Sequence, residues 1–209
     1  MNSRQSLLIA AAFFTFAPAS HAAETLITFD DIPQANYSSG DIPANYKNLS
    51  WTNLQYINPF HVSGWANSGA GTGIVSLSYD AISSPGIPVE IQSTTPFTLN
   101  SAYFAANWND GLSITVKGEL AGAIVHTQTF TVDTTGSTRE FFNWQNIDTV
   151  LITATGGTHN SSLGSSGTSF AMDNLIINSP VPEPETYAML LAGLGLVGFL
   201  ARRRKISFK

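Results

Sequence analysis

The sequence predicts an all-β protein, an antiparallel two-sheet sandwich of jelly-roll type. Three observations predict it. Apolar residues in the middle of the chain recur with a period of two, as where Leu112, Ile114 and Val116 interleave with Ser113, Thr115 and Lys117; this is the pattern of a strand with one buried face. Threonine, valine, isoleucine and aromatics, which suit a pleated, half-buried surface, dominate the same region. Turn-forming residues punctuate it at short intervals, and no long amphipathic helix interrupts it.

Taken in order, strands are expected near 25–29, 49–58, 73–79, 88–92, 97–105, 112–119, 123–132, 138–144, 147–154 and 168–177. Thr25 to Phe29 opens the series with β-branched and aromatic residues, and 49–58 carries Trp51 and Tyr56. Pro85-Gly86 breaks the chain before 88–92. Asn109-Asp110-Gly111 separates 97–105 from 112–119 and has the composition of a tight hairpin turn. In 123–132, Ile124, His126, Gln128 and Phe130 alternate with Val125, Thr127, Thr129 and Thr131. Thr134-Thr135-Gly136 is the next breaker, and Val150 and Ile152 alternate with Leu151 and Thr153 in 147–154. Gly64 to Gly73 and Gly156 to Gly167 are Gly/Ser/Asn-rich and read as longer loops. Phe170 to Leu175 belongs to the closing strand, and no internal repeat is found.

Both ends differ from this body. Residues 1–22 read as a signal peptide: Arg4 supplies a basic start, Leu7 to Phe16 an apolar run, and Ser20-His21-Ala22 small residues at the two positions a signal peptidase inspects, with Ala23 as the alternative site. Signal peptidase and the export machinery are the partners this implies. The domain 23–179 holds three basic and twelve acidic side chains, a formal charge of −9. It therefore lacks the lysine and arginine that nucleic-acid binding needs, whereas a divalent cation suits it. The sequence has no cysteine, which excludes disulfides, thiolate metal sites and cysteine nucleophiles.

Residues 180–205 form the third segment. Thr186 to Ala201 carries no charge. As a helix of about 24 Å it crosses a hydrocarbon core of about 30 Å only marginally. The cluster Arg202, Arg203, Arg204 and Lys205 belongs on the cytoplasmic side and leaves the body outside. Pro180, Pro182 and Pro184 hold the preceding stretch extended. Pro182-Glu183-Pro184, a glycine- and leucine-rich span and Arg202 to Arg204, in that order, resemble the PEP-CTERM sorting signal of Gram-negative bacteria. Ile206 to Lys209 beyond the cluster are a small departure. The resemblance implies processing by an exosortase-type enzyme, transient anchoring in the inner membrane and delivery to the cell surface or outside. Such proteins often accompany extracellular polysaccharide and biofilm. The resemblance covers about 25 residues and implies nothing about the body's activity.

Within the body, Asp31 and Asp173, with Asp30, are the expected calcium ligands: they stand at the ends of the first and last strands, which lie side by side in many jelly rolls. The alternative is strand-end acids in water or turn caps. In this the body loosely resembles calcium-stabilised, carbohydrate-binding jelly rolls. Trp65 in Gly64-Trp65-Ala66-Asn67 and Trp108 in Asn107-Trp108-Asn109-Asp110 lie in polar, loop-like settings. There, flat rings can stack on sugars beside amide groups for the hydroxyls. Trp51 and Trp144 sit in strands and read as core. Gly69 to Gly73 leads into a strand and lacks the lysine of a phosphate loop. His61, His126 and His159 lack paired metal spacing. No catalytic residues are assigned. The sequence reads as a non-enzymatic exported surface or matrix protein that binds polysaccharide. Its rivals are a glycan-active enzyme using Glu90, Glu119 or Glu140, and a structural adhesion subunit.

Overall fold

The computed structural model describes residues 23–32, 39–72, 80–178 and 193–194. These form β1 Thr25–Ile27, β2 Ser39–Asp41, β3 Ser50–Thr52, β4 Leu54–Ile57, β5 Asp80–Ser83, β6 Val89–Ala106, β7 Asn109–Leu120, β8 Ala123–Val132, β9 Thr138–His159 and β10 Phe170–Ile177. A one-turn helix α1, Gly69–Thr72, and a 3-10 turn, Tyr46–Asn48, complete the described elements. All the strand pairs are antiparallel. The class expected from the periodicity is the one observed.

Two long strands build the sandwich. The C-terminal part of β6 pairs with β10 and with Thr138–Trp144 of β9; its N-terminal part, Val89–Gln92, pairs with β3 and with Thr149–Ile152 of β9. One layer thus runs β2-β4-β5-β10-β6-β9 with β1 on β10, and the other runs β3-β6-β9-β7-β8. Register shifts between Gln92 and Phe97, Phe97 and Leu99, and Leu99 and Ser101 mark where β6 bends from one layer to the other. Bulges are the usual way a strand turns such a corner.

The core fills the space between the layers. Leu112, Ile114 and Val116 of β7 point inward, as their alternation requires, and meet Phe104, Phe170 and Met172 from the opposite layer in one buried cluster. Phe104 lies within 5.1–6.4 Å, ring centre to ring centre, of Phe130, Phe142 and Phe170. At the edge, His126 of β8 stacks on Trp144 of β9 at 5.1 Å, and Gln128 donates to Glu140 at 2.8 Å. Trp51 is held by its indole N–H on the Tyr46 carbonyl and by the edge of Phe29. Trp51 and Trp144 are thus packing residues, as their strand positions indicate.

Several expected boundaries change. Segments 88–92 and 97–105 are one strand, as are 138–144 and 147–154, because bulges carry the pairing through the intervening residues. The single strand 49–58 is two: Asn53 at φ 60° turns the chain so that β3 joins one layer and β4 the other. Asn109-Asp110-Gly111 makes no hairpin. It opens β7, and β6 and β7 are separated by β9. Gly69–Thr72, read as loop, makes α1. The expected strand 73–79 lies outside the described residues.

The true two-residue hairpin is Ala121-Gly122, between the paired Leu120 and Ala123. Both residues have positive φ, 51° and 78°, as the twist-compatible hairpin turn demands. Alanine is a poor occupant of that region, which costs an L-residue about 1–2 kcal/mol. Ala121→Asn keeps the backbone N–H that Asp148 accepts at 2.7 Å. It should raise stability by about 1 kcal/mol, or about 2–4 °C in Tm. Thermal unfolding checks this.

Candidate binding cleft

The outer face of the first layer is covered by the loop that runs from β4 to α1. Ala70 packs there on Ile57, Ile82 and Ala171, with Val62 and Trp65 partly buried against them. Small residues let this second layer of backbone approach. A Cβ on Gly69 would lie 1.9 Å from the Ala106 carbonyl oxygen, so only glycine fits.

A buried asparagine pins the arrangement. Asn107, fully buried, accepts from the Ala70 N–H at 3.1 Å and donates from Nδ2 to Ser169 Oγ at 2.8 Å. Ser169 Oγ in turn donates to the Ser83 carbonyl at 2.7 Å, and Ser83 Oγ accepts from the Phe170 N–H at 3.0 Å. One chain of bonds therefore ties α1, β5 and the start of β10. A satisfied buried network of this kind fixes geometry as much as it stabilises.

A cleft of about 500 Å³ opens above this network, within the range of small-molecule sites. Trp65 and Trp108, from separate loops, meet in its wall edge to face, 4.8 Å between ring centres and 67° between planes. Trp108 is buried, whereas Trp65 is half-buried. Ser63, Ser84, Ser165 and Ser166 bring hydroxyls and Gln55 an amide. None of the described lining residues is charged. The two tryptophans singled out for their polar settings thus line one cleft. Their asparagine neighbours serve the protein: Asn109 donates to the Gly156 carbonyl and accepts from the Gly167 N–H, holding the far loop in place. Sequence reasoning missed Asn107 and Ser169 as supports; an asparagine beside a tryptophan was the only trace.

The carboxylates singled out from sequence go elsewhere. β1 does pair with β10, Ile27 opposite Leu175. Asp173 is fully buried on β10, opposite Tyr103 of β6. Asp31 is exposed in the turn after β1, where Lys47 forms an ion pair with it and the Tyr46 hydroxyl donates to it. Asp30 is exposed in the same turn. Among the described residues no group of three or more His, Asp or Glu side chains is placed to hold a metal ion.

Lys47 first, and Tyr46 second, hold the Asp31 carboxyl below its usual pKa. A depressed value means that the pair stabilises the fold above the unfolded carboxylate pKa, and that this is lost as pH falls through the folded one. Asp31→Asn should therefore destabilise at pH 7 by at most about 1 kcal/mol, since the pair is exposed. The difference from the parent should fade in acid, below about pH 4. Paired melts at the two pH values test this.

Glu90 lies on β6 opposite Thr52, and Glu119 on β7 opposite Thr149. With β9 between them, their strands stand about 9.5 Å apart. Glu140 accepts the Gln128 bond between layers. None of the three lines the cleft.

Residues 180–205 match the PEP-CTERM protein-sorting motif. Among solved structures, a DUF4465 family protein from Bacteroides caccae is 12% identical, with a TM-score of 0.56 over 76% of this chain and 100% of that one. A DUF4465 family protein from Bacteroides ovatus is 8% identical, with a TM-score of 0.45 over 77% and 95%. The K2 cleaved adhesin domain of Lys-gingipain is 12% identical, with a TM-score of 0.46 over 76% and 99%. No curated protein matches by sequence. The first of these structures shares the fold of the body. The expected signal peptide 1–22 and the sorting residues Pro182, Glu183, Pro184, Arg202, Arg203 and Arg204 lie outside the described residues, as does the expected membrane helix 186–201 apart from Gly193 and Leu194. Among the described residues no helix is long and apolar enough to cross a membrane. A β-sandwich body followed by a PEP-CTERM sorting motif, the mark of an exported protein, is what this chain is.

Proposed function

We propose that this protein is a non-enzymatic component of the cell surface or extracellular matrix, and that it binds polysaccharide in the Trp65–Trp108 cleft. The observation that carries this reading is the meeting of two tryptophans in an uncharged, hydroxyl-lined cleft of about 500 Å³. The exposed part of Trp65 offers an apolar plane for the C–H face of a sugar ring. Serine hydroxyls and the Gln55 amide exchange hydrogen bonds with its hydroxyls. A body of charge −9 repels acidic polymers, so the ligand is a neutral one. Most glycoside hydrolysis uses two carboxylates across the bond, and the described cleft lining supplies none.

The test is electrophoresis in native gels cast with soluble neutral glucan, xylan, galactan or mannan. Retardation by at least one polymer, without release of reducing ends, is the expected result. Retardation by none overturns the reading, and release of reducing ends replaces it with an enzyme.

The sorting motif supports this reading, because an exported cleft can meet such polymers. The inner membrane holds the chain transiently by residues 186–201, with the basic cluster inside, until an exosortase-type enzyme cuts near Pro182-Glu183-Pro184. Intact-mass measurement of surface material should then show molecules that lack Arg202 to Lys209. Full-length mass at the surface would contradict the cut. Calcium at the β1–β10 end has to compete with Lys47 for Asp31. A Tm lowered by chelator is the result that calcium binding there requires.

A further inference from the structure

Beside the tryptophan cleft lies a second depression of about 330 Å³, lined by Asn67, Thr134, Thr135, Asn160, Ser162 and Leu163. The same two loops run past both, although no residue lines the two together. Trp65 faces the first and Asn67 the second, two residues on along one loop; Gly164 faces the first and Leu163 the second along the other. Residues two apart in a chain are separated by no more than about 7.6 Å. The Asn160 N–H donates to the Trp108 carbonyl at 3.0 Å, so the floors are joined as well.

The second depression is built to be rigid. Asp110 accepts from the Thr134 N–H at 2.8 Å and from its hydroxyl at 2.6 Å, and Asn160 Nδ2 donates to the same hydroxyl at 2.8 Å. These bonds, the hydroxyl's first, hold the Asp110 carboxyl below its usual pKa. The described lining is again uncharged, and amide and hydroxyl groups provide most of it. It has no aromatic ring. It can therefore hydrogen-bond a sugar but not stack on one.

We infer that the two depressions are one groove, which holds an internal stretch of a neutral polysaccharide: one residue stacks on Trp65 and the following residues hydrogen-bond to Asn67 and Thr135. This inference rests on the polysaccharide reading of the tryptophan cleft. The stacking site alone accepts short and long ligands alike; the hydrogen-bonding site adds affinity only for chains long enough to reach it.

Titration calorimetry of the whole folded protein tests this, using disaccharide to octasaccharide fragments of whichever of the four gel polymers retards it. Affinity should rise at least tenfold between the shortest and longest fragments. Asn67→Ala combined with Thr135→Ala should remove that rise, so that octasaccharides bind the variant no tighter than disaccharides do. Thermal unfolding of the double variant guards against misfolding; both sites sit outside the Asp110–Thr134–Asn160 bonds. Length-independent binding, or a rise that survives the double variant, overturns the inference while leaving the cleft's function intact. Failure of every polymer to retard the parent protein overturns both.

Discussion

Trp65→Ala should weaken binding of the retarding polysaccharide about thirtyfold or more and leave the protein folded. Truncating an aromatic anchor at the centre of a binding site costs about 2 kcal/mol or more, and every 1.4 kcal/mol is tenfold in affinity. Trp65 is half-buried, at the margin of the small cluster of Ile57, Ala70, Ile82 and Ala171, so its loss opens no cavity in the main core. Trp108 is different. It is buried, so Trp108→Ala should lose both affinity and stability, the latter by about 3 kcal/mol or more. Trp144→Phe supplies the contrast, because that ring packs on Phe142 and His126 away from the cleft. It should leave retardation unchanged. If Trp65→Ala binds as well as the parent, the ligand does not use the cleft.

The second large effect belongs to a residue that touches no ligand. Asn107→Ala should lower stability by about 2–5 kcal/mol, because it strips partners from the Ala70 N–H and from Ser169. Leaving the Ala70 N–H unpaired costs about 1–3 kcal/mol, and losing the bond to Ser169, which keeps its own on the Ser83 carbonyl, about 0.5–1.5 kcal/mol more. At about 2–4 °C per kcal/mol, Tm should drop by roughly 4–20 °C. Affinity should fall with it, since the same bonds hold α1 beneath Trp65. Ser165→Ala, a change in the cleft lining outside this network, should leave Tm within about 1 °C; exposed substitutions rarely exceed about 0.5 kcal/mol. Chemical denaturation with both variants separates the two roles. A neutral Asn107→Ala would mean that the network is dispensable.

How much of this was legible in the sequence depends on the range of the interaction involved. The strand Ala123–Val132 was read to the residue, because its pattern and its breakers are local. The tryptophans were legible as site candidates because a large ring in a Gly/Asn-rich loop has no local reason to be there. Their meeting was not, since it depends on Asn107 and Asn109 clamping two distant loops. The corner at Asn53 and the bulges in β6 were hidden because a bent strand keeps its composition. α1 was hidden because Gly-Ala-Gly-Thr is too short and too glycine-rich to show a helical period. The fate of Asp31 was equally obscure. It turns on a left-handed Phe29 at φ 61° and a left-handed Lys47 at φ 55°, which neither residue type advertises.

The sharing of β6 and β9 between the layers has a mechanical consequence. Neither sheet can peel away alone, because the same two ribbons are stitched into both. Tension applied at the C-terminus pulls on β10, which lies along β6 and so loads both halves together. For an exported body without a single disulfide, that weave makes rupture all-or-none rather than a gradual unravelling.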